Sequence, residues 1–84
     1  MGQKKPDKVF RIGYVSASIF VNEVGPDEDT RKMHSVVVQK RYMDGKEAKY
    51  TSSFGLAELP LAVRVLQLAQ QYVEEQEAEV SLGD

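Results

Sequence analysis

The residues of this chain that could do chemistry are few, and they form no catalytic set. His34 is the one histidine, and no Ser or Asp stands at motif spacing from it. Cysteine is absent, which excludes thiolate zinc sites and cysteine nucleophiles. The acids Asp27, Glu28 and Asp29 are contiguous, whereas an EF-hand needs spaced ligands, a central Gly and a closing Glu. With no phosphate-binding glycine loop either, we predict a protein that is not an enzyme and has no catalytic, metal or cofactor site.

What remains is a set of basic and aromatic residues that are interleaved along strand-like sequence. Single-stranded nucleic acid is bound by such sets, because cations follow the phosphates while rings stack on the bases at about 1–3 kcal/mol each. We predict phosphate contacts from Arg11, Lys40, Arg41 and Lys49, and base stacking from Phe20, Tyr42 and Tyr50. Alternatively, the aromatic rings are cross-strand packing partners, and the lysines and arginines protect the edges of the sheet from pairing. The protein would then be a protein-interaction or structural module without nucleic-acid activity.

The composition fits one small domain with a divided charge. A chain of 84 residues buries a modest core, and a dimer interface is a natural supplement to it. Ten Lys and Arg stand against seven Asp and Glu through Tyr50, and one stands against six from Thr51 onward. The basic part favours a polyanion as partner, although ordinary solvated charge produces the same counts. With no apolar run of bilayer length and no signal-peptide pattern, we predict a cytoplasmic protein that contacts no membrane.

The first strand region runs from Val9 to Val24. Apolar and polar residues alternate well from Val15 onward, as they do in a half-buried strand. Before Gly13 the apolar residues occupy even-numbered positions, whereas from Val15 onward they occupy odd-numbered ones. This change of phase predicts a bulge, a bend or a break between two strands, and it leaves the strand count at three or four. The Gly-Pro pair and the acids of residues 25–30 predict a loop.

A β-hairpin is predicted around Asp44-Gly45. An Asp-Gly pair between two strand-like runs is typical of a type I′ turn, in which both central residues have positive φ. The parity of the first strand places on one face Val36, Val38, Lys40 and Tyr42. Arg41 points to the opposite face, so the basic residues divide between two faces. If the two valines belong to the core, Lys40 and Tyr42 must lie beyond the covered part of the sheet.

The last third of the chain predicts a helix. Pro60 suits its first position, where the missing N–H costs nothing and φ is already set. A buried stripe at helical spacing consists of Ala62, Val65, Leu66, Ala69, Tyr72 and Val73. The stripe is wide enough to cover a sheet and still leave apolar side chains for a second subunit. We predict a homodimer that packs through Leu61, Val65, Leu68 and Tyr72.

Together these elements predict an α+β fold, namely an antiparallel β-meander of three to four strands followed by one C-terminal helix packed on one sheet face. We expect a flexible arm at 1–8, a single domain at 9–78 and a flexible tail at 79–84. One helix covers only one face of the sheet, so the other must meet water, a partner or a ligand. We expect that helix-free face to bind single-stranded DNA or RNA.

Three segments resemble those of a set of small bacterial and phage proteins that have no assigned activity. The segments are Arg11-x-Gly13-x-Val15-x-Ala17-Ser18-Ile19-Phe20-x-Asn22, then Val36-x-Val38-x-Lys40-x-Tyr42-x-Asp44-Gly45, then Thr51-x-Ser53-Phe54 with Glu58-Leu59-Pro60-Leu61-Ala62. The resemblance extends over about residues 11 to 73. It implies a fold unit and no activity.

More distantly, strands followed by a C-terminal helix resemble the single-stranded DNA-binding coactivator family called positive cofactor four and its Whirly-type relatives. That resemblance implies a role in transcription regulation, a dimer formed through the helix, and nucleic acid bound on the sheet. A three-stranded sheet would instead resemble the integrase arm-binding and plant ethylene-response DNA-binding domains, which read duplex grooves. These likenesses are of topology and charge, and they carry over no base-reading residue.

Overall fold

The computed structural model describes residues 5–25 and 31–77, which form a four-stranded antiparallel sheet followed by one helix. The elements are β1 (Lys8–Ile12), β2 (Val15–Val24), β3 (Arg31–Asp44), β4 (Glu47–Thr51) and α1 (Leu59–Glu77). Each strand pairs with the next along the chain, so the sheet is a meander in the order β1-β2-β3-β4. The predicted α+β fold is confirmed, with four strands.

Gly13 separates two strands and is not a bulge within one. Ile12 pairs with Val15, so Gly13 and Tyr14 are the two central residues of a tight hairpin. Gly13 has a φ of +62°, a backbone conformation that costs glycine little because it has no Cβ. The reversal of parity at Gly13 in the sequence is therefore the change from β1 to β2.

The second hairpin turns one residue later than the sequence predicts. Asp44 is the last residue of β3 and pairs with Glu47, so the central residues are Gly45 and Lys46. Gly45 has a φ of +67°, and no described residue other than glycine has a positive φ. Positive φ at the first central residue alone is the requirement of a type II′ turn. The predicted type I′ turn centred on Asp44-Gly45 is wrong, because Asp44 stays in the strand.

The core lies between β2 and the helix. β2 contributes to it the buried side chains of Val15, Ala17 and Ile19, and the helix contributes those of Ala62, Val65 and Ala69. Small residues on the helix allow it to approach the sheet closely, and Phe10, Ile12, Val36, Val38 and Phe54 pack around this centre. The helix packs over β2, β1 and β3, and it does not reach β4.

Two predictions about the helix are corrected by its orientation. Val65 is fully buried against the sheet, so it cannot be part of the predicted dimer interface with Leu61, Leu68 and Tyr72. Leu61 and Tyr72 also pack against the core. Leu66, predicted to be in the buried stripe, is 46% exposed. The apolar arc of the helix is wider than the sheet contact, and the contact is centred on its Ala-Val-Ala side.

The domain is a thin slab that measures 50 × 33 × 15 Å, which is one sheet and one helix layer deep. Strand pairing begins inside the range predicted as a flexible arm, because Lys8 opens β1 and the N–H of Asp7 donates to the carbonyl of Ile19 at 2.6 Å. Residues 1–4 of the arm, residues 26–30 and the predicted tail lie outside the described residues. Among those described, no helix has the length and apolar character of a membrane span.

Candidate nucleic-acid interface

The strand register divides the sheet into a covered face, under the helix, and an open face over which none of the described elements packs. Val15, Ala17 and Ile19 mark the covered face, and the residues that alternate with them belong to the open face. Within the described side chains the open face consists of Val9, Arg11, Ser16, Ser18, Phe20, Asn22, Arg31, Met33, Ser35, Val37, Gln39, Arg41, Met43, Ala48 and Tyr50.

The open face is basic and contains no acidic residue among these positions. Its three charged residues are Arg11, Arg31 and Arg41, all exposed. None of the three forms an ion pair with a described residue. The remaining polar groups are hydroxyls and amides, which donate hydrogen bonds to phosphate oxygens as readily as they do to water.

Two of the arginines lie at the same end of the sheet. Arg11 pairs with Ser16, which pairs with Gln39, so Arg11 lies two strands away from β3, about 10 Å. Arg41 lies two residues beyond Gln39, about 7 Å along the strand. Its N–H donates to the carbonyl of Tyr14 at 2.9 Å, which joins the first hairpin to β3. The two Cα atoms are therefore about 12 Å apart.

The predicted stacking residues on this face are far from each other. Tyr50 pairs with Arg41 and is 59% exposed. Phe20 is half-buried and pairs with Ser35, six residues from Arg41 along β3, which is about 20 Å. Tyr50 and Phe20 are thus separate positions along the sheet and cannot form one aromatic platform.

Lys40, Tyr42 and Lys49 lie on the covered face, so the predicted residues do not form one surface. Lys40 pairs with Val15, and its ammonium is 3.1 Å from a carboxylate oxygen of Glu58 just before the helix. Lys49 pairs with Tyr42, and its ammonium is 3.0 Å from Asp44. Arg11, Phe20, Arg41 and Tyr50 are the predicted residues that share the open face.

The β3–β4 hairpin projects beyond the helix, and residues 41–50 are exposed on both faces. Its two cross-strand pairs of a base and a ring lie back to back. Arg41 and Tyr50 are on the open face, and Tyr42 and Lys49 are on the covered face, where the helix does not reach β4. The hairpin therefore presents a basic residue beside a ring on each face, but only on the open face is the basic residue without a described carboxylate partner, because Lys49 is paired with Asp44.

The two ends of the helix are tied to the sheet by carboxylates. At the N-terminal end Glu58 accepts hydrogen bonds from the Gly55 N–H at 2.6 Å and from Lys40 at 3.1 Å. At the C-terminal end Glu77 accepts from the His34 backbone N–H at 3.0 Å and contacts its ring Nδ1 at 2.6 Å. These contacts hold the helix on the covered face and leave the open face accessible.

These contacts shift the pKa of the groups that make them. The Gly55 N–H, followed by the Lys40 ammonium, lowers the pKa of Glu58 below its ordinary value of 4.5. The hydrogen bond with the His34 side chain lowers the pKa of Glu77 in the same direction. The Tyr72 hydroxyl donates to Asp7, and this hydrogen bond raises the pKa of Tyr72 above its ordinary value of 10.0. Through its two contacts with Glu77, His34 ties β3 to the C-terminal end of the helix.

Arg31 is the arginine of the open face that the sequence did not predict to contact phosphates. The sequence places it at the end of a loop, since strand character resumes near Met33, but β3 begins at Arg31. A signal was available, because Arg31 has the same parity as Arg41 and lies ten residues before it. Extending the alternation of β3 back by one pair would have found it.

Among the described residues, no three His, Asp or Glu side chains are grouped closely enough to hold a metal ion. No family model, no curated protein and no solved structure matches this chain. The resemblances noted from the sequence stay predictions, and the condition for the three-stranded one is not met, because the sheet has four strands.

Proposed function

We propose that this protein binds single-stranded nucleic acid on its open face. The observation that carries the proposal is the charge of that face, which has three exposed arginines and no acid among its described positions. Elsewhere on the described sheet, two of the lysines pair with carboxylates. Such arginines favour a polyanion as ligand. Each phosphate that an arginine neutralises releases the counterions bound to that phosphate, and this release favours binding.

The spacing of the face suits an extended strand of nucleic acid. Two residues along a β-strand advance about 6.6 Å, which is comparable to the phosphate spacing of an extended single strand. Arg31 is the first residue of β3 and Arg41 lies ten residues further along it, about 33 Å away, so a nucleic-acid strand that follows β3 meets two widely spaced cations. Tyr50 beside Arg41 offers an exposed ring, and base stacking on it requires a base whose face is free. This requirement favours a single strand over a duplex.

A second candidate is a protein-interaction module without nucleic-acid activity. The observation in its favour is the apolar content of the same face, where Met33, Val37 and Met43 are 46%, 41% and 57% exposed. Apolar contacts gain nothing from counterion release, so the two functions differ in their response to salt.

The test is the affinity of the full chain for labelled oligonucleotides, measured by fluorescence anisotropy at about 50 and 200 mM salt. With oligo-dT, oligo-U and a matched duplex, we expect the single strands to bind more tightly. The logarithm of the affinity should fall against that of the salt concentration with a slope of about −2, from three contacts at about 0.7 each. Amide shifts in NMR spectra should cluster on the open face. No binding to any oligonucleotide at low salt, or shifts confined to α1, would refute the proposal.

A further inference from the structure

β3 is longer than either of its neighbours in the sheet, so part of one edge has no strand beside it. It spans Arg31–Asp44 and pairs with β2 from Arg31 to Lys40. On its other side, β4 pairs only with the residues from Lys40 to Asp44. None of the described strands pairs with the rest of that side. We name residues 32–37 on this side, about 17 Å of strand, the free edge of β3.

The backbone of the free edge offers hydrogen-bonding groups at every second residue. Neighbouring residues of a strand in an antiparallel sheet direct their N–H and C=O groups to opposite sides. Arg41 donates its N–H to the carbonyl of Tyr14, on the side of β2, so the odd-numbered residues of β3 face β2. The even-numbered residues therefore direct these groups away from β2, and on the free edge they are Lys32, His34 and Val36.

Two side chains lie at the free edge. Ser52 donates its hydroxyl to the carbonyl of Val38 at 3.4 Å and closes the end next to β4. A carboxylate oxygen of Glu77 accepts a hydrogen bond from the N–H of His34 at 3.0 Å, as the carbonyl of an adjacent strand would. No other hydrogen bond between described residues uses a backbone group that the free edge directs outward. The edge can therefore pair with the main chain of a further strand, and a carboxylate holds one of the places.

Glu77 is placed so that it can leave the free edge without disturbing the core. It is the last residue of α1, and its side chain is 37% exposed. The last buried residue of the helix, Ala69, lies eight residues before it. A charged side chain over a strand edge prevents unwanted pairing with other chains. A ligand strand that supplies its own carbonyl to His34 can replace the carboxylate there.

The side chains of the free edge determine the chemistry of such a ligand. On the open face Met33 and Val37 are 46% and 41% exposed, and no described strand gives them a cross-strand neighbour on the β4 side. Apolar side chains of an added strand would pack beside them. Lys32 is exposed and forms no ion pair with a described residue, so it favours an acidic side chain opposite it. The helix does not reach β4 and leaves room for a strand on that side of β3.

We propose that the free edge of β3 binds an extended peptide segment of another protein as a fifth strand, antiparallel to β3. The segment has apolar residues opposite Val37 and Met33 and an acidic residue opposite Lys32, and it displaces Glu77 from the N–H of His34. Main-chain hydrogen bonds supply the affinity, and alternate side chains supply the selectivity. The site lies at an edge of the sheet, and it does not depend on nucleic-acid binding to the open face.

The probe is a blocked six-residue peptide, Val-Thr-Val-Thr-Val-Glu, added to the full chain without nucleic acid. Antiparallel to β3, it places valines opposite Val37, Ser35 and Met33 and its glutamate opposite Lys32. Its threonines then direct their N–H groups to β3, whereas its valines direct theirs away. N-methylation of both threonines should abolish binding, and N-methylation of the second and third valines should preserve it. Loss of binding in both methylated peptides or in neither, or no binding of the unmodified peptide at about 1 mM, would overturn the proposal.

Amide hydrogen exchange followed by NMR locates the bound peptide. In the free chain the amides of Met33, Ser35 and Val37 should exchange slowly because they face β2, whereas that of Val36 should exchange fast. Once the peptide is bound, the Val36 amide exchanges only from the free chain, so about 90% saturation should slow it about tenfold. Slow exchange of Val36 without peptide would show that the chain itself or a second copy already occupies the edge. That result, or exchange of Val36 that the peptide leaves unchanged, would overturn the proposal.

Two matched variants test the role of Glu77. Glu77→Ala and Glu75→Ala each remove one negative charge near the end of α1, but Glu75 lies on the other flank, where it lines a surface pocket with Lys8 and Phe10 of β1. Glu77→Ala should bind the peptide about two- to tenfold more tightly, because the N–H of His34 no longer has a competing acceptor. Glu75→Ala should bind it like the unmodified chain, with the helical signal of both variants retained. Equal affinities of the three chains, or weaker binding by Glu77→Ala, would overturn the assignment of Glu77 as the group that the peptide displaces.

Discussion

The face on which nucleic acid binds can be tested with one matched pair of substitutions. Arg41→Ala and Lys49→Ala each remove one positive charge from the projecting hairpin, at positions one cross-strand pair apart. Arg41 lies on the open face and forms no ion pair with a described residue, whereas Lys49 lies on the other face and is paired with Asp44 at 3.0 Å. If the open face binds the phosphates, only Arg41→Ala should weaken binding.

The expected size of the effect follows from the number of contacts. Three arginines give a salt slope of about −2.1 for a single strand, and loss of one gives about −1.4. Between 50 and 200 mM salt the affinity of the unmodified chain should fall about 18-fold, and that of Arg41→Ala about 7-fold. An exposed ion pair contributes up to about 1 kcal/mol, so the variant should bind up to roughly fivefold more weakly at 50 mM and roughly twofold more weakly at 200 mM.

The assay is anisotropy of a labelled oligo-dT at four or more salt concentrations, with both variants and the unmodified chain. Thermal unfolding serves as the control for folding, because exposed substitutions of this kind change stability by no more than about 0.5 kcal/mol. Lys49→Ala should reproduce the slope of the unmodified chain. Equal losses of slope in both variants would show that net charge, and not the open face, governs binding. An unchanged slope in Arg41→Ala would remove that residue from the interface.

Three further predictions concern the stability of the fold. Val65→Ala should lower the free energy of unfolding by about 2–3 kcal/mol in urea titrations, because Val65 is fully buried at the centre of the core; a loss below 1 kcal/mol would mean that the helix is loosely packed. Gly45→Ala should cost about 1 kcal/mol through backbone strain alone, because φ is +67° and an added Cβ meets no atom within 4 Å; no loss would contradict the type II′ turn. The lowered pKa values of Glu58 and Glu77 stabilise the fold fully above pH 4.5, and this contribution is lost as the pH falls through the lowered values. The raised pKa of Tyr72 affects stability at alkaline pH: its contribution is fully present below pH 10 and is lost as the pH rises through the raised pKa. Melting temperatures measured against pH check the acid and the alkaline losses. Tyr72→Phe should remove the alkaline loss.

Local rules were sufficient to predict most of the elements of this protein, although they left the break at Gly13 open and misplaced the second turn by one residue. The alternation from Val15 onward, the glycines at the two tight turns and the helical spacing after Pro60 are each set by neighbouring residues. The division of Lys40 and Arg41 between two faces is equally local, because strand parity depends only on position along the chain. These features specify three or four candidate strands, a helix and two sets of side chains.

Which set would be covered, and by which side of the helix, was decided only by the tertiary structure. The helix is apolar over a wide arc, and Val65 and Leu66 are both apolar members of it. Val65 is nevertheless fully buried, whereas Leu66 is half exposed. The difference arises because the small side chains of Ala62 and Ala69 let that side approach β2 closely. Docking of the helix there brings Glu58 to Lys40 and leaves Arg41 on the open face, away from the carboxylates of the described residues. Such contacts join residues far apart in the chain, and no local pattern in the sequence encodes them.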